Sequence, residues 1–249
     1  MVDTHCHLDV CEPGAPELVE RARAAGVSRI ATVGMNDASI GKALKATEDH
    51  EEVFAIVGRH PHETGGFGEG DLEPIGRAAE HPRARAIGET GLDYYRDRAP
   101  RADQMRAFRA QLELAGRAEL PVVIHTRAAE DDTFAVLREY ADGLTVVLHC
   151  FSAPDRIEEC VERGYLCSFA GNVTYPKAAD LQGAARELPG ELLLVETDAP
   201  FLAPQPVRGK PNEPANVRLT AQAVAELRGV SYEELERTVE QNAERVFGW

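Results

Sequence analysis

The segment PVVIHTR, residues 121–127, joins a short apolar run to a histidine and an arginine. A run of about four to eight residues rich in Val and Ile is typical of a strand buried on both faces. Seven other segments have the same character, and their ends are defined to about 2–4 residues. The eight predicted strands are Val2–Leu8, Ser28–Gly34, Val53–Gly58, Arg85–Gly91, Pro121–Thr126, Thr145–Phe151, Tyr165–Ala170 and Leu192–Asp198. Short buried strands separated by longer segments indicate a parallel sheet.

Helical patterns lie between these strands. Residues 101–118 place apolar side chains on one face at helical spacing. Ser231 and Glu234 form a capping-box sequence for the last helix, and Gly248 follows where a C-cap is expected. Eight βα units predict a single TIM (β/α)8 barrel that occupies residues 1–249. The alternative is an open doubly wound sheet, which is disfavoured because no glycine-rich phosphate-binding string follows the first strand.

Composition agrees with one large α/β domain. The chain has 249 residues, of which 43% are hydrophobic and 28% are charged. No apolar stretch approaches the roughly 20 residues of a membrane span, and the opening MVDTHCHLD lacks the apolar run of a signal peptide. We therefore expect a cytoplasmic protein with no membrane association. The five cysteines show no CxxC or finger-like spacing, which argues against disulfides and against a structural zinc site.

The net charge limits the kind of nucleic-acid binding that is open to the chain. Its formal value is −15 at pH 7, whereas a broad footprint on a duplex requires a field that attracts phosphates. An enzyme that holds one or two phosphates through metal ions and a few arginines tolerates an acidic exterior. The charge therefore excludes wide duplex binding but not a nuclease.

Metal-ligand residue types occur at the carboxyl ends of five predicted strands. In a barrel these ends meet at one mouth, so residues distant in sequence become neighbours. Each histidine alone would be interpreted as a hydrogen-bonded residue at a strand end, but six such positions together favour a metal site. They exceed the ligands of one tetrahedral zinc ion and suit two ions about 3.5–4 Å apart that share a carboxylate. The predicted metal ligands are His5, His7, Glu89, His125, His149 and Asp198.

Seven strings spread over nearly the whole chain carry a resemblance to a known family. They are DTHCHLD (3–9), GRHPHE (58–63), AIGETGLDYY (86–95), PVVIHTR (121–127), LHCFS (148–152), ETDAPFLAP (196–204) and RGKPNEPANV (208–217). The chain resembles the TatD family of metal-dependent deoxyribonucleases, within the amidohydrolase-like superfamily of barrel hydrolases.

The resemblance implies a ligand assignment and an activity. His5, His7, Glu89 and Asp198 would hold one ion, while Glu89, His125 and His149 would hold the other, with Glu89 as the bridge. It also implies removal of nucleotides from the 3′ end of DNA. The imidazole-rich set favours Zn²⁺ or Mn²⁺ by ligand type, whereas the resemblance implies activity with Mg²⁺.

Departures from the family pattern lie in the loops that face a substrate. Pro211 stands where the family usually has Arg, Phe201 where Tyr is common, and Ala215 where an aromatic residue is frequent. The resemblance is therefore more informative about the metal site than about the substrate.

Further residues are candidates for supporting roles. His60, which with His62 flanks Pro61, is expected to face the pocket as a substrate-binding group, the alternative being a turn histidine. Glu196 shares a strand face with Asp198 and is expected to orient a ligand histidine. Further candidate substrate contacts, for which an exposed loop position is the alternative, are Arg127 beyond His125 and the loop residues Arg208, Lys210 and Asn212. Tyr94 and Tyr95 are candidates to stack on a base.

These expectations combine into a function. Two divalent ions, of Zn, Mn or Mg, would activate water for attack on a phosphodiester, and Asp198 would accept its proton. The expected partner is DNA, at single-stranded ends, with no obligate protein partner. One alternative is a superfamily hydrolase of another ester, a phosphoester or an amide, although no lysine lies within a predicted strand to bridge the metals as a carbamate. Another is a non-enzymatic metal-binding factor.

Overall fold

A computed structural model describes residues 1–249 and contains one eight-stranded sheet. All seven pairs of neighbouring strands are parallel, and their spatial order is their order in the chain. The strands are β1 (Val2–Cys6), β2 (Arg29–Gly34), β3 (Val53–Val57), β4 (Ala84–Asp93), β5 (Val122–Arg127), β6 (Val146–Leu148), β7 (Leu166–Phe169) and β8 (Leu193–Val195).

Helices connect successive strands, as a parallel sheet requires. They are α1 (Ala15–Ala24), α2 (Asp37–Asp49), α3 (Leu72–Ala79), α4 (Arg101–Ala118), α5 (Glu130–Tyr140), α6 (Ile157–Arg163), α7 (Ala179–Glu187), α8 (Val217–Arg228) and α9 (Tyr232–Phe247). Helix α4 has the predicted bounds. In α9 the side chain of Ser231 accepts from the backbone N–H of Glu234, and Gly248 adopts the left-handed C-cap conformation.

The first and last strands close the barrel. Cys6 and Ala199 form a parallel bridge, His7 donates its backbone N–H to the carbonyl of Ala199 at 2.8 Å, and Asp198 donates to the carbonyl of His5 at 2.9 Å. We call this contact the seam. It confirms the predicted TIM barrel and excludes an open doubly wound sheet.

Six strands are shorter than predicted, and β6 and β8 differ most, with three residues each instead of the expected seven. Strands β6 and β8 stop before His149 and Asp198, both of which were expected inside a strand. Cys150 and Asp198 have positive φ values of 44° and 54°, which turn the chain away from the sheet. His149 and Asp198 therefore lie on the turns just beyond the carboxyl ends of their strands.

The core is one continuous cluster of 65 buried hydrophobic residues formed by the sheet and the inner faces of the helices. In six of the eight strands every residue after the first is buried, which explains why the strands appear as continuous apolar runs in the sequence. The exceptions are β4, whose second residue Arg85 is partly exposed, and the end of β5. No helix combines the length and the hydropathy needed to cross a membrane.

Strands β4 and β5 approach each other closely at the barrel mouth, where Gly91 faces His125. Gly91 pairs with His125 and has a φ of 138°, and a Cβ atom at Gly91 would lie 2.0 Å from the carbonyl oxygen of His125. Only glycine fits this position, because both the backbone conformation and the contact exclude a side chain.

Replacing Gly91 tests this close approach. Gly91→Ala should lower the free energy of unfolding by about 3 kcal/mol or more, since strain and overpacking add. Gly41→Ala is the matched control: Gly41 lies exposed in α2, with no atom within 4 Å of a new Cβ. That control should gain about 0.5–1 kcal/mol. Urea unfolding of both variants measures the difference, and a Gly91→Ala variant as stable as the parent would refute the contact.

Candidate metal centre

One buried carboxylate lies at the centre of the barrel mouth. Glu89, the sixth of the ten residues of β4, is 2% exposed and is surrounded by five imidazoles. Its two oxygens face different histidines. Oε1 lies 2.6 Å from His125 Nδ1, 3.0 Å from His149 Nε2 and 3.4 Å from His60 Nε2. Oε2 lies 3.3 Å from His5 Nε2 and 3.8 Å from His7 Nε2. The carboxylate thus separates two groups of histidines.

The geometry of β1 and β4 determines which way the side chains of this centre point. His5 lies on β1, and His7 lies one residue beyond Cys6, the last residue of that strand. The backbone of His7 stays bonded to Ala199, so the two-residue spacing still turns both imidazoles to the same side. A register shift between Ile87 and Thr90 interrupts the regular pairing of β4 at Glu89. Cys6, between the two histidines, is fully buried, with its Sγ 3.5 Å from the carbonyl oxygen of Ala31.

Two further carboxylates contact the histidines. Glu196 Oε1 lies 2.9 Å from His149 Nδ1 and accepts the backbone N–H of Cys150, so it fixes the ring and leaves Nε2 facing Glu89. Asp198 Oδ1 lies 3.3 Å from His7 Nε2. The seam places Asp198 beside His7, because its own backbone N–H is bonded to β1.

Burial sets the charges in the centre. Burial raises the pKa of Glu89, but the surrounding histidines, first His149 and His60, hold that pKa well below its ordinary value. Burial also lowers the pKa of His60 to about 4, although Glu89 opposes this. His60 is therefore neutral at pH 7 and has a lone pair to offer a metal ion.

The donor set fits divalent metal ions. Both ring nitrogens of His5 and Nδ1 of His7 are buried and have no hydrogen-bond partner, a costly state for polar atoms unless a cation or water satisfies them. Two groups of three ligand atoms, each compact enough for one ion, share Glu89. They are His5, His7 and Glu89, and His60, Glu89 and His125. A third group consists of His5, His149 and Glu196.

Sequence reasoning missed Asp93. This residue ends β4, is fully buried, and has its Oδ2 2.8 Å from His62 Nε2 and 3.2 Å from His125 Nε2. Burial raises the pKa of Asp93, but hydrogen bonds from His125, the Arg96 N–H and His62 outweigh that effect and lower the pKa. Asp93 thus anchors the imidazole of His125 and draws His62 away from Glu89. Its place in GLDYY, at a strand end, was the available signal.

Helix α4 holds this side of the mouth through two buried glutamines. Gln104 Oε1 accepts the backbone N–H of Asp93 at 2.8 Å. Gln111 Oε1 accepts the N–H of Arg59 at 2.7 Å, while its Nε2 donates to Thr90. The residues before His60 and after Glu89 are therefore fixed to the same helix.

The predicted substrate contacts lie in different environments. Arg127 is exposed, with its guanidinium carbon 4.2 Å from the ring centre of Tyr95. Arg208 is exposed and lies 4.2 Å from the ring centre of Tyr175, and Lys210 is exposed. Asn212 differs from the expectation: it is buried, and its amide donates to the carbonyls of Thr197 and Phe201. Its amide therefore holds the loop after β8 and is not turned to a substrate.

Two aromatic rings at the rim are largely exposed. Tyr95 is 63% exposed, and Phe201 is 54% exposed with its ring 6.0 Å from that of His7. Tyr94, by contrast, donates its hydroxyl to Asp132 and carries Arg101 over its ring. Of the two candidate stacking tyrosines, only Tyr95 is largely exposed, and Arg127 lies over one face of its ring.

The proteins to which this chain is similar include metal-dependent hydrolases and nucleases. The family model described as TatD related DNase matches residues 2–248. An uncharacterized metal-dependent hydrolase, YabD of Bacillus subtilis, is 37% identical over 99% of this chain and 98% of its own. A 3′-5′ ssDNA/RNA exonuclease, TatD of Citrobacter koseri, is 34% identical over 93% of this chain and 92% of its own.

A solved structure agrees with the fold. The TatD homologue YJJV of Escherichia coli has a TM-score of 0.93 and 29% identity, with 100% of this chain and 98% of that chain covered. The family match and the relatives span essentially the whole sequence. Together with a buried donor set suited to divalent ions, they show that the chain is an enzyme and belongs to the TatD-related family of metal-dependent hydrolases.

Proposed function

We propose that the protein is a nuclease that removes nucleotides from the 3′ ends of single-stranded DNA with two divalent metal ions. The observation that carries this proposal is the position of Glu89, whose two oxygens face two separate histidine groups. A shared carboxylate between two ligand groups is what a two-metal phosphodiesterase needs. A relative at 34% identity, named as a 3′-5′ ssDNA/RNA exonuclease, supports the substrate class.

The ligand sets follow from the contacts of Glu89. His5 and His7 would hold one ion with Oε2, joined by Asp198 next to His7. His125 and His149 would hold the other with Oε1. Divalent ions in these sets would lower the pKa of a bound water toward neutrality and polarise a phosphoryl oxygen.

His60 lies closer to Glu89 than a residue that only contacts the substrate would need to. Its Nε2 lies 3.4 Å from Glu89 Oε1, and it forms a compact ligand group with Glu89 and His125. His149 is held by Glu196 on its other nitrogen. We therefore include His60 as a further candidate ligand on the Oε1 side, or as the group that contacts a phosphate bound there.

Asp198 is the proposed proton acceptor. Burial raises the pKa of Asp198, but its hydrogen bond with His7 and the positive field of the histidines lower the pKa overall. The carboxylate is thus ionised at neutral pH and lies at the open side of the centre, where it can take the proton of the attacking water. No nucleophilic side chain is required.

The rim has groups suited to a single strand. Arg127, beside the ring of Tyr95, can donate two hydrogen bonds to a non-bridging phosphate oxygen pair. The exposed ring of Phe201 and the open face of the Tyr95 ring can stack on bases, an interaction that tolerates any sequence. A stiff duplex would have to lie across a chain of net charge −15, whereas one flexible end can enter the mouth.

A substrate panel tests the proposal. With Mg²⁺, Mn²⁺ or Zn²⁺ in turn, an end-labelled single strand should be shortened stepwise from its 3′ end, and a 3′-blocked strand or a circle should resist. Duplex DNA should be cut more slowly, and rate should fall only shallowly with salt because few phosphates are contacted. Rapid cleavage of the circle would refute the exonuclease mode. Brisk hydrolysis of amides, lactones or phosphomonoesters, with no cleavage of nucleic acid, would refute the nuclease.

Metal content tests the bridging role of Glu89. Glu89→Ala should lose both equivalents of metal, because both ligand groups depend on one carboxylate. Asp155→Ala, which removes an exposed carboxylate with 74% of its side chain accessible, is the matched control and should keep both equivalents. Elemental analysis after gel filtration measures both variants. A Glu89→Ala protein that retains one full equivalent would show that the residue does not bridge.

Turnover tests Asp198 as the proton acceptor. Asp198→Asn should lower kcat by about 10²–10⁴, since an amide cannot accept the proton, while metal content falls much less. Single-turnover cleavage of a labelled strand and elemental analysis of the same preparation give the two numbers. Parallel losses of metal and rate would make Asp198 a ligand only.

A further inference from the structure

The end of the barrel opposite the metal centre carries an unusual group of arginines. Arg29 begins β2, Arg83 immediately precedes β4, and Arg85 is the second residue of β4. Phe54 is the second residue of β3, the strand between them. Because the strands are parallel, these four residues share the amino-terminal end of the barrel, whereas Glu89 and the histidines lie at the carboxyl end.

The ring of Phe54 brings two of the arginines together. The guanidinium carbons of Arg83 and Arg85 lie 4.4 and 5.5 Å from the ring centre of Phe54. The ring of Trp249 lies 5.3 Å from that of Phe54 and stacks on Phe247 at 4.8 Å. Two cations therefore contact one ring, and the chain's single tryptophan is packed beside it.

The charge of this group is not neutralised within the protein. None of Arg29, Arg83 and Arg85 has a carboxylate within 4.0 Å, and nearby Glu52 is paired with Arg23. Burial lowers the pKa of the Arg83 guanidinium, and the positive charges of Arg85 and Arg29 lower that pKa further. The attraction of Glu51 and Glu52 raises the pKa, but by less, so the pKa is lowered overall. Unpaired positive charge is conspicuous in a chain with a net charge of −15.

Hydrogen-bond donors in the group also lack partners. Nε of Arg29 and Nε of Arg85 are buried and make no hydrogen bond. Arg83 differs, since its Nε and Nη2 donate to the backbone carbonyls of Val53 and Glu51 and so fix the guanidinium in place. The side chains of Arg29 and Arg85 are only partly buried, so an anion can approach the outer N–H groups of the two guanidinium groups from solvent. An anion is the partner that satisfies both the charge and several N–H groups at once.

We propose that Arg29, Arg83 and Arg85 form a second binding site, at the amino-terminal end of the barrel, for a compact anion that carries a phosphate group. A phosphate has enough acceptor oxygens for several guanidinium groups and more charge than a carboxylate. The site is separate from the metal centre. Three arginines with Glu51 and Glu52 nearby suit a small ligand, either free phosphate or a nucleoside monophosphate, better than a long polyanion.

Trp249 makes the proposal directly measurable, because it is the only tryptophan and lies next to the site. Titration of the metal-loaded protein with inorganic phosphate should give a saturable change in tryptophan emission, with matching heat in calorimetry. Adenosine monophosphate should bind through the same site, whereas adenosine should not. Binding of the monophosphate but not of free phosphate would identify the nucleotide as the source of the anion.

Two variants locate the response. Arg85→Gln and Arg29→Gln should each raise the Kd for phosphate at least about tenfold, since each removes a charge-assisted contact. Arg237→Gln, an exposed arginine on α9, is the matched control and should leave the Kd unchanged. Glu89→Gln, which alters the metal centre, should leave the tryptophan response intact. Circular dichroism confirms that each variant is folded, and Arg85→Gln should keep normal hydrolase activity.

Several results would overturn the proposal. Absence of both emission change and heat with millimolar phosphate and with millimolar adenosine monophosphate would show that no site exists. Unchanged affinity in folded Arg85→Gln and Arg29→Gln proteins would place the anion elsewhere. Loss of the response in Glu89→Gln would assign it to the metal centre. Equal binding of acetate would show that the arginines do not select phosphate.

Discussion

The structure depends on one buried charge, the carboxylate of Glu89. An ionised carboxylate inside a protein costs several kcal/mol unless partners surround it. Here the partners are five imidazoles brought from four other positions in the sheet: β1, the turns after β3 and β6, and β5. Glu196 and Asp93 in turn contact the second ring nitrogens of His149 and His125. Asp198 contacts Nε2 of His7, the nitrogen that also faces Glu89. The positions of the strand ends are therefore fixed by the charge that they enclose.

Much of this arrangement is predictable from the sequence because a parallel barrel obeys a simple rule. Apolar runs such as residues 121–124 can be buried only as central strands, and successive parallel strands end on the same side. His125 and Glu89 thus meet, although 36 residues separate them. Helix α4 was likewise predictable with its bounds, since its apolar stripe has the helical period.

Other features depend on tertiary contacts that the sequence pattern does not predict. Asp93 and His62 pair with each other because α4 fixes the end of β4 through Gln104, and a polar residue on a helix gives no sign of its partner. Asn212 is polar and lies in a loop rich in Pro and Gly, which suggests exposure, yet two carbonyls capture its amide. The ends of β6 and β8 also escaped prediction, because positive φ at non-glycine residues follows from tertiary packing.

The seam has a consequence for how the protein is made. It joins the first strand to the last: Thr197 donates its hydroxyl to Asp3, 194 residues earlier in the chain, and Asp198 reaches His7 only through this closure. A nascent chain that has passed His149 already carries Glu89 and every histidine of the centre, but it lacks the strand that aligns them. Contacts of such sequence separation form late in folding. Assembly of the complete centre therefore waits until the strand that ends near Asp198 has been synthesised, and a chain truncated before that strand presents its imidazoles on an unclosed sheet.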